Sequence, residues 1–152
     1  MGHSLIATED QAPIKLNYRL VMAIEKINPP ELAEPAGYAH VVVASGTRRV
    51  YIAGQTGVGT DGVVVGSDLA SQTAQALRNV GTALSAGGAT WDDVVKMNVL
   101  IVGYEPSMAE GLFGGIGEVF GENMPVATAT LYGVQSLFEP DHLVEIDVVA
   151  EV

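Results

Sequence analysis

The chain has 152 residues, 48% hydrophobic and 16% charged, a composition that suits one compact globular domain and excludes a disordered chain. It has no cysteine, so disulfides, thiolate nucleophiles and cysteine-held metals are excluded. Eighteen acidic against seven basic residues leave a formal net charge of −11, which opposes binding to a phosphate backbone, because that affinity comes from several Lys and Arg contacts.

Residues 1–21, "MGHSLIATEDQAPIKLNYRLV", mix polarities without a period and lack the basic start and apolar core of a secretory signal. They read as an N-terminal extension, either vector-derived or upstream of a start at Met22, with a native arm as the rival reading. Residues 22–152 then form a single domain. No apolar run reaches the roughly 18 residues of a membrane span, and a cytoplasmic location is expected. "INPPELAEPAGY" (27–38) reads as an extended, proline-punctuated lead-in. Two β runs follow, Ala39–Ser45 and Arg48–Ala53, joined at "SGTR" with Gly46 supplying the turn. "GQTGVGTDG" (54–62) follows a strand as a phosphate loop would, but it lacks a Gly-Lys-Ser/Thr ending and a helix directly after it. It reads as a plain loop, leading to a short strand at Val63–Val65.

From Ser67 the pattern turns helical: Leu69, Thr73, Ala76, Leu77, Val80 and Leu84 fall on one face at three- and four-residue steps. Ser67 is the expected N-cap, Asp68 suits the dipole beside it, and Gly87-Gly88 stops the helix. A strand is expected near 94–102. A second helix is expected from Ser107, where Ser107-Met108-Ala109-Glu110 has the form of a capping box. It carries Met108, Leu112, Phe113, Ile116, Val119 and Phe120, while glycines 111, 114, 115 and 117 each cost it about 1 kcal/mol against alanine. Packing must hold that helix. The last strands fall at Val126–Gly133 and Leu143–Val149.

The order β-β-(β)-α-β-α-β-β is an α+β pattern with two helices, enough to cover one face of a sheet. Yet "VVKMNVLI" (94–101) is apolar on both alternating faces toward its end, and a sheet needs both such faces covered. The second face is expected to be buried by other copies of the chain, as a homo-oligomer. Lys96 and Asn98 share one strand face, Glu145 and Asp147 another. The plain reading is a polar ladder pairing Lys96 with a carboxylate; the chemical one makes Glu145 an acid or base in an apolar cleft.

Tyr38, "VYIAGQTG" (50–57), "LASQTAQALRNVGTALSAGGATWDDVVKMNVLI" (69–101), "GEVFG" (117–121), "MPVATATL" (124–131) and "LVEIDVVAEV" (143–152) follow one another in an order and spacing that resemble the YjgF/RidA (Rid) family, over about residues 26–152. The most specific pieces are the "SGQ"-like turn, Gln72 through Asn79-Val80, "WDDVVK" and "VEID". The resemblance implies a chorismate-mutase-like α+β subunit, a mixed sheet with two helices on one face, assembled as a homotrimer around a central β-barrel. It also implies clefts between subunits that hydrolyse enamines and imines such as 2-aminoacrylate without a metal or organic cofactor. There the protein holds the substrate, positions a water and assists proton movement.

Members with that activity have Pro-x-Arg-Ser/Thr at the start of the penultimate strand, the arginine gripping the substrate carboxylate. This chain has Pro125-Val126-Ala127-Thr128 instead. Ala53 stands where a serine is frequent, and Phe113 where the second helix has an asparagine. Tyr38 and Glu145 match the family's cleft tyrosine and water-ordering glutamate and are the catalytic candidates. Ala127, Thr128, Phe113, Gln55 and Tyr132 are the candidate cleft lining. The expected cleft is apolar and not built for free amino-acid imines. The alternatives are a non-catalytic ligand-binding or regulatory trimer and, against the chain's charge, an endoribonuclease. His40 reads as a structural donor, His142 as a surface loop residue, and His3 belongs to the extension. No histidine pair has metal-ligand spacing, and no Ser-His-Asp set is spaced to argue from.

Overall fold

The computed structural model describes residues 23–152, so the extension at 1–21, with His3, lies outside them. Strands β1 (Ile24–Ile27), β2 (Val41–Ala44) and β3 (Arg49–Thr56) precede helix α1 (Leu69–Ala86); β4 (Val94–Val102), helix α2 (Ala109–Phe120), β5 (Thr128–Val134) and β6 (Val144–Glu151) follow. The main sheet has the order β3-β6-β4-β5, with β4 and β5 parallel and the other pairs antiparallel. β1 and β2 form a separate antiparallel pair. This is the expected α+β arrangement, with α1 and α2 sharing one apolar core with the sheet.

α1 buries the expected stripe, Leu69, Thr73, Ala76, Leu77, Val80 and Leu84, together with Gln72 and Ala74. Its N-cap is Asp68, not Ser67: the Asp68 carboxylate accepts from the Ser71 backbone N–H at 2.8 Å and from the Ser71 hydroxyl at 2.7 Å. A carboxylate at this position also meets the positive end of the helix. α2 starts later than the Ser107 pattern suggests, because Pro106–Met108 form a 3-10 turn and Met108 caps the helix without a side-chain bond. The packing that offsets its glycines is visible at Gly115, where a Cβ would overlap the Ala70 carbonyl and come within 2.6 Å of Thr73 Cβ. Gly115 lets the two helices touch backbone to backbone.

Three strand expectations change. Val63–Val65 is reduced to a single bridge between Val58 and Val64. β2 pairs with β1, not with the β3 that follows it, so Gly46 does not close a hairpin. A Cβ there would overlap Glu151 Cγ, so the glycine serves a close approach to the chain end. A strand absent from the expected order, β1, runs up to the first residue of the lead-in, made by the apolar ends of "IEKI" before Asn28-Pro29-Pro30.

The residues that carry the family resemblance are mostly clamps. Gln72, 1% exposed, donates from Nε2 to the Asp141 carbonyl and accepts at Oε1 from the Leu143 N–H, both at 2.9 Å. These two bonds draw in the residue between them. His142 is therefore buried at 8% exposure rather than on the surface, and its Nδ1 has no partner among the described residues. Asn79 Nδ2 donates to the carbonyls of Thr56 (3.0 Å) and Val58 (2.8 Å), holding the glycine-rich loop after β3 against α1. Asp93 closes the turn into β4 by accepting from the Thr90 N–H and hydroxyl, and Trp91 packs edge-on against Phe120 with ring centroids 5.0 Å apart.

Candidate functional site

Alternation along β6 sorts its side chains. Val144, Ile146, Val148 and Ala150 are buried against the helices, so Glu145 and Asp147 point to the opposite, open face. Glu145 lies level with Thr56 of β3 on one side and Leu100 of β4 on the other, and Leu100 is level with Tyr132 of β5. β3 carries a bulge between Ile52 and Gln55, where Ala53 and Gly54 face a single residue of β6. The Glu145 side chain fills the space above Gly54: a Cβ there would overlap Oε1 and lie within 2.7 Å of Cγ. The carboxylate has no hydrogen-bond or ion-pair partner among the described residues, leaving its lone pairs available to a ligand. Gln55, half-buried, turns its Nε2 back to the Ala53 carbonyl at 3.1 Å and braces the bulge.

A second group lies further along the same face. The Ala39 N–H donates to the Ala127 carbonyl at 2.9 Å, which fixes the Tyr38 segment beside the start of β5. Tyr38, half-buried, stands edge-on to His40 with ring centroids 5.3 Å apart, and His40 Nε2 is 2.8 Å from the Ala33 carbonyl. Thr128 is level with Lys96, and its hydroxyl donates to the Val95 carbonyl at 2.8 Å. Four residues separate the Lys96–Thr128 row from the Leu100–Tyr132 row, about 13 Å at strand rise.

The polar ladder on this face differs from expectation. Asp147 accepts from Asn98 Nδ2 at 3.0 Å, and Arg49 Nε donates to Glu151 at 2.9 Å, while Lys96 is exposed and has no ion-pair partner among the described residues. The hydrogen bond to Glu151, and after it one to the Tyr51 hydroxyl, raise the Arg49 guanidinium above its ordinary value.

One chain therefore brings Glu145 and Tyr132 to one end of the open face and Thr128 to the other, with the Tyr38 segment beside the start of β5, while Gln55, level with Ile146, falls on the helix-covered side. Ala127, 3% exposed, belongs to the apolar core. Phe113, 57% exposed, stands on α2, across the sheet from Glu145. Sequence pattern alone does not reveal the contact of Glu145 with Gly54 or the unpaired state of Lys96; both depend on register. Among the described residues, no group of three or more His, Asp or Glu side chains converges as metal ligands would.

Fold and site together define a class: an α+β subunit with one sheet face packed on two helices and the other lined by polar side chains. The family described as Endoribonuclease L-PSP matches residues 30–152, and the chain belongs to it, the YjgF/Rid family. A solved structure from Yersinia pestis, YyfB, a protein of unknown function of the conserved Rid family, is 33% identical, with 85% of this chain and 98% of that chain covered and a TM-score of 0.76. Rv2704 from Mycobacterium tuberculosis, a member of the YjgF/YER057c/UK114 family, is 34% identical, with 76% of this chain and 87% of that chain covered and a TM-score of 0.53. Yersinia pestis YyfA, also a Rid protein of unknown function, is 26% identical, with 86% and 100% covered and a TM-score of 0.59. No curated protein matches the chain.

Proposed function

We propose that the chain forms a Rid-type homotrimer that hydrolyses a small imine, enamine or related carbonyl metabolite in clefts between its copies. The observation that carries the reading is the unpartnered Glu145 carboxylate seated over Gly54 on the open sheet face. The two groups of candidate residues lie about 13 Å apart in one chain, too far for one small imine to touch both. Phe113 lies across the sheet from Glu145. Both facts favour a site completed by a second copy.

The chemistry asks little of the protein. Water adds to the electrophilic imine carbon as the C=N π bond opens, and Glu145 takes one proton from that water and passes it to nitrogen. Glu145 then moves the proton of the resulting hydroxyl to nitrogen as the C–N bond breaks, so that the amine leaves and the carbonyl remains. Tyr38, Thr128, Gln55, Tyr132 and Phe113 line the cleft in this reading. No residue at 127 offers a bidentate grip on a carboxylate.

The test is an assay of ammonia or amine release from 2-aminoacrylate and from bulkier apolar imines. The bulkier imines should be the better substrates, because the fork-shaped cation is missing. Glu145→Gln should lower turnover by roughly a hundredfold or more, and Gly54→Ala, whose Cβ takes the carboxylate's place, should lower it without unfolding the protein. Unchanged turnover in Glu145→Gln would sink the assignment. A second reading, a trimer that binds a small ligand without turnover, is favoured by Ala127 lying in the core. A ligand that raises Tm with no product formed would establish it. RNA hydrolysis fits poorly with a charge of −11, and salt-sensitive RNA binding would be needed to revive it.

A further inference from the structure

Glu145 stands where two strands leave the sheet. The β3–β6 ladder closes with the pair Thr56 and Glu145; Thr56 is the last residue of β3, and β6 begins one residue before Glu145, at Val144. Strand ends are the parts of a sheet that open most readily. The Glu145 carboxylate keeps its seat over Gly54 only if both chains stay in place beyond that pair.

Two amide side chains of α1 hold them. Gln72 and Asn79 are seven residues apart, about two turns of helix, and so share one face. Gln72 takes the β6 side: its Oε1 accepts from the N–H of Leu143, two residues before Glu145, and its Nε2 donates to the Asp141 carbonyl. Asn79 takes the β3 side: its Nδ2 donates to the carbonyl of Thr56, the residue level with Glu145, and to that of Val58. Gln75 Nε2 donates to Asn79 Oδ1 at 2.9 Å and so orients that amide. Gln72 also meets the exit of β3 directly, since a Cβ on Gly57 would come within 2.6 Å of Gln72 Cβ.

Only an amide suits position 72. A carboxylate would offer no donor to the Asp141 carbonyl, and an ammonium no acceptor to the Leu143 N–H. Burying an amide at 1% exposure is costly unless it is bonded. The two short bonds of this one go to the segment that leads into Glu145. All of these partners belong to the same chain, so the clamp does not depend on what covers the open face.

We propose that Gln72, together with Asn79, is a positioning residue for Glu145: the two amides fix the start of β6 and the exit of β3 against each other and so hold the carboxylate over Gly54. This rests on the catalytic reading above and adds what sets the reach of its base. Misplacing a reacting group by about 1 Å can cost about a hundredfold in rate. Slack in the clamp should therefore appear in kcat rather than in KM.

The experiment is a double-variant cycle on the imine that the protein turns over best. Gln72→Met keeps the length of the side chain and loses both bonds. In the wild type it should lower kcat at least about tenfold with KM moved less than about twofold. In Glu145→Gln it should lower the residual turnover less than about twofold, because the base it positions is already gone. Leu84→Ala, a 0% exposed residue of the same helix, loses stability without touching the clamp, and well below its Tm it should leave kcat within about twofold of wild type. Equal losses from Gln72→Met in the two backgrounds overturn the proposal, as a residue that only holds the fold would produce them. So does an unchanged kcat. If Gln72→Met fails to fold, Asn79→Ala, at a half-buried position, is put through the same cycle and decides by the same two outcomes.

A readout without turnover separates this proposal from the catalytic one. In protein labelled with 13C on its glutamate side chains, the Glu145 signal is assigned by its loss in Glu145→Gln. That signal should shift in Gln72→Met and stay in Leu84→Ala. A shift in a protein that turns over no imine sinks the catalytic reading alone. Imine turnover with an unmoved Glu145 signal in Gln72→Met sinks the clamp alone.

Discussion

The two faces of the main sheet are made from the same strands and solve different problems. On β6, Val144, Ile146, Val148 and Ala150 are each 1% exposed or less, while Glu145, Asp147 and Val149 between them are only half-buried. The helix-covered side is closed with apolar side chains and backbone contacts, as at Gly115 against Ala70. The open side pairs some of its polar groups, Asn98 with Asp147 and Arg49 with Glu151, and leaves Glu145 and Lys96 without a partner among the described residues. A face shaped only for stability would have matched those two charges or replaced them. The difference separates residues that hold the fold from residues free to meet a ligand.

The sharpest way to break this comparison is to change neighbours on β6. Ile146→Ala removes a side chain that is 1% exposed in the shared core and should cost about 2–5 kcal/mol in urea unfolding. Glu145→Gln, one residue away, should stay within about 0.5 kcal/mol of wild type. Similar losses for the two would show that both faces serve the fold alike. A smaller effect is expected inside α2. Gly115→Ala forces a methyl into the Ala70 carbonyl, and both helices are packed, so about 1–3 kcal/mol should be lost. Gly117→Ala meets nothing within 4 Å and should instead gain up to about 1 kcal/mol from helix propensity. Equal effects at 115 and 117 would mean that the helices do not cross where Gly115 puts them.

The helix-covered side was the more legible in sequence, for a physical reason. Apolar residues at helical spacing have only one sensible use, so Leu69, Leu77, Val80 and Leu84 announce their face, and the two-helix α+β plan follows. Polar residues are ambiguous. Gln72 and Asn79 stand on α1 as surface residues would, and only their carbonyl and N–H partners, up to 71 residues away, reveal them as clamps. His142 is buried for the same reason, drawn in by bonds to its neighbours that no local pattern encodes. On the open face, Glu145 could be singled out through the family resemblance, but its seat over Gly54 depends on a bulge. Ala53-Gly54 looks like ordinary strand sequence. That Glu151 is taken by Arg49 and not by Lys96 follows from the β3–β6–β4 register, which a single sequence does not specify.

The smallest expected effect lies at the start of α1, on the covered side, where an exposed charge does stabilise the fold. The Ser71 backbone N–H, and then its hydroxyl, hold the Asp68 carboxyl below its ordinary value. The folded value is therefore lower than the unfolded one, and added acid protonates the unfolded chain first. The cap's contribution is complete above the ordinary carboxylate range and is lost as pH falls through the folded value. Asp68→Ala should lower Tm by a few degrees at neutral pH, and the gap from wild type should shrink below about pH 4. Asp68→Asn keeps an acceptor for the Ser71 N–H, so its loss at neutral pH should be smaller than that of Asp68→Ala. A gap for Asp68→Ala that stayed constant down to about pH 2 would mean that charge at this cap contributes nothing. The distinction between an open face that leaves charges free and a covered side that puts them to structural use would then lose the support of this cap.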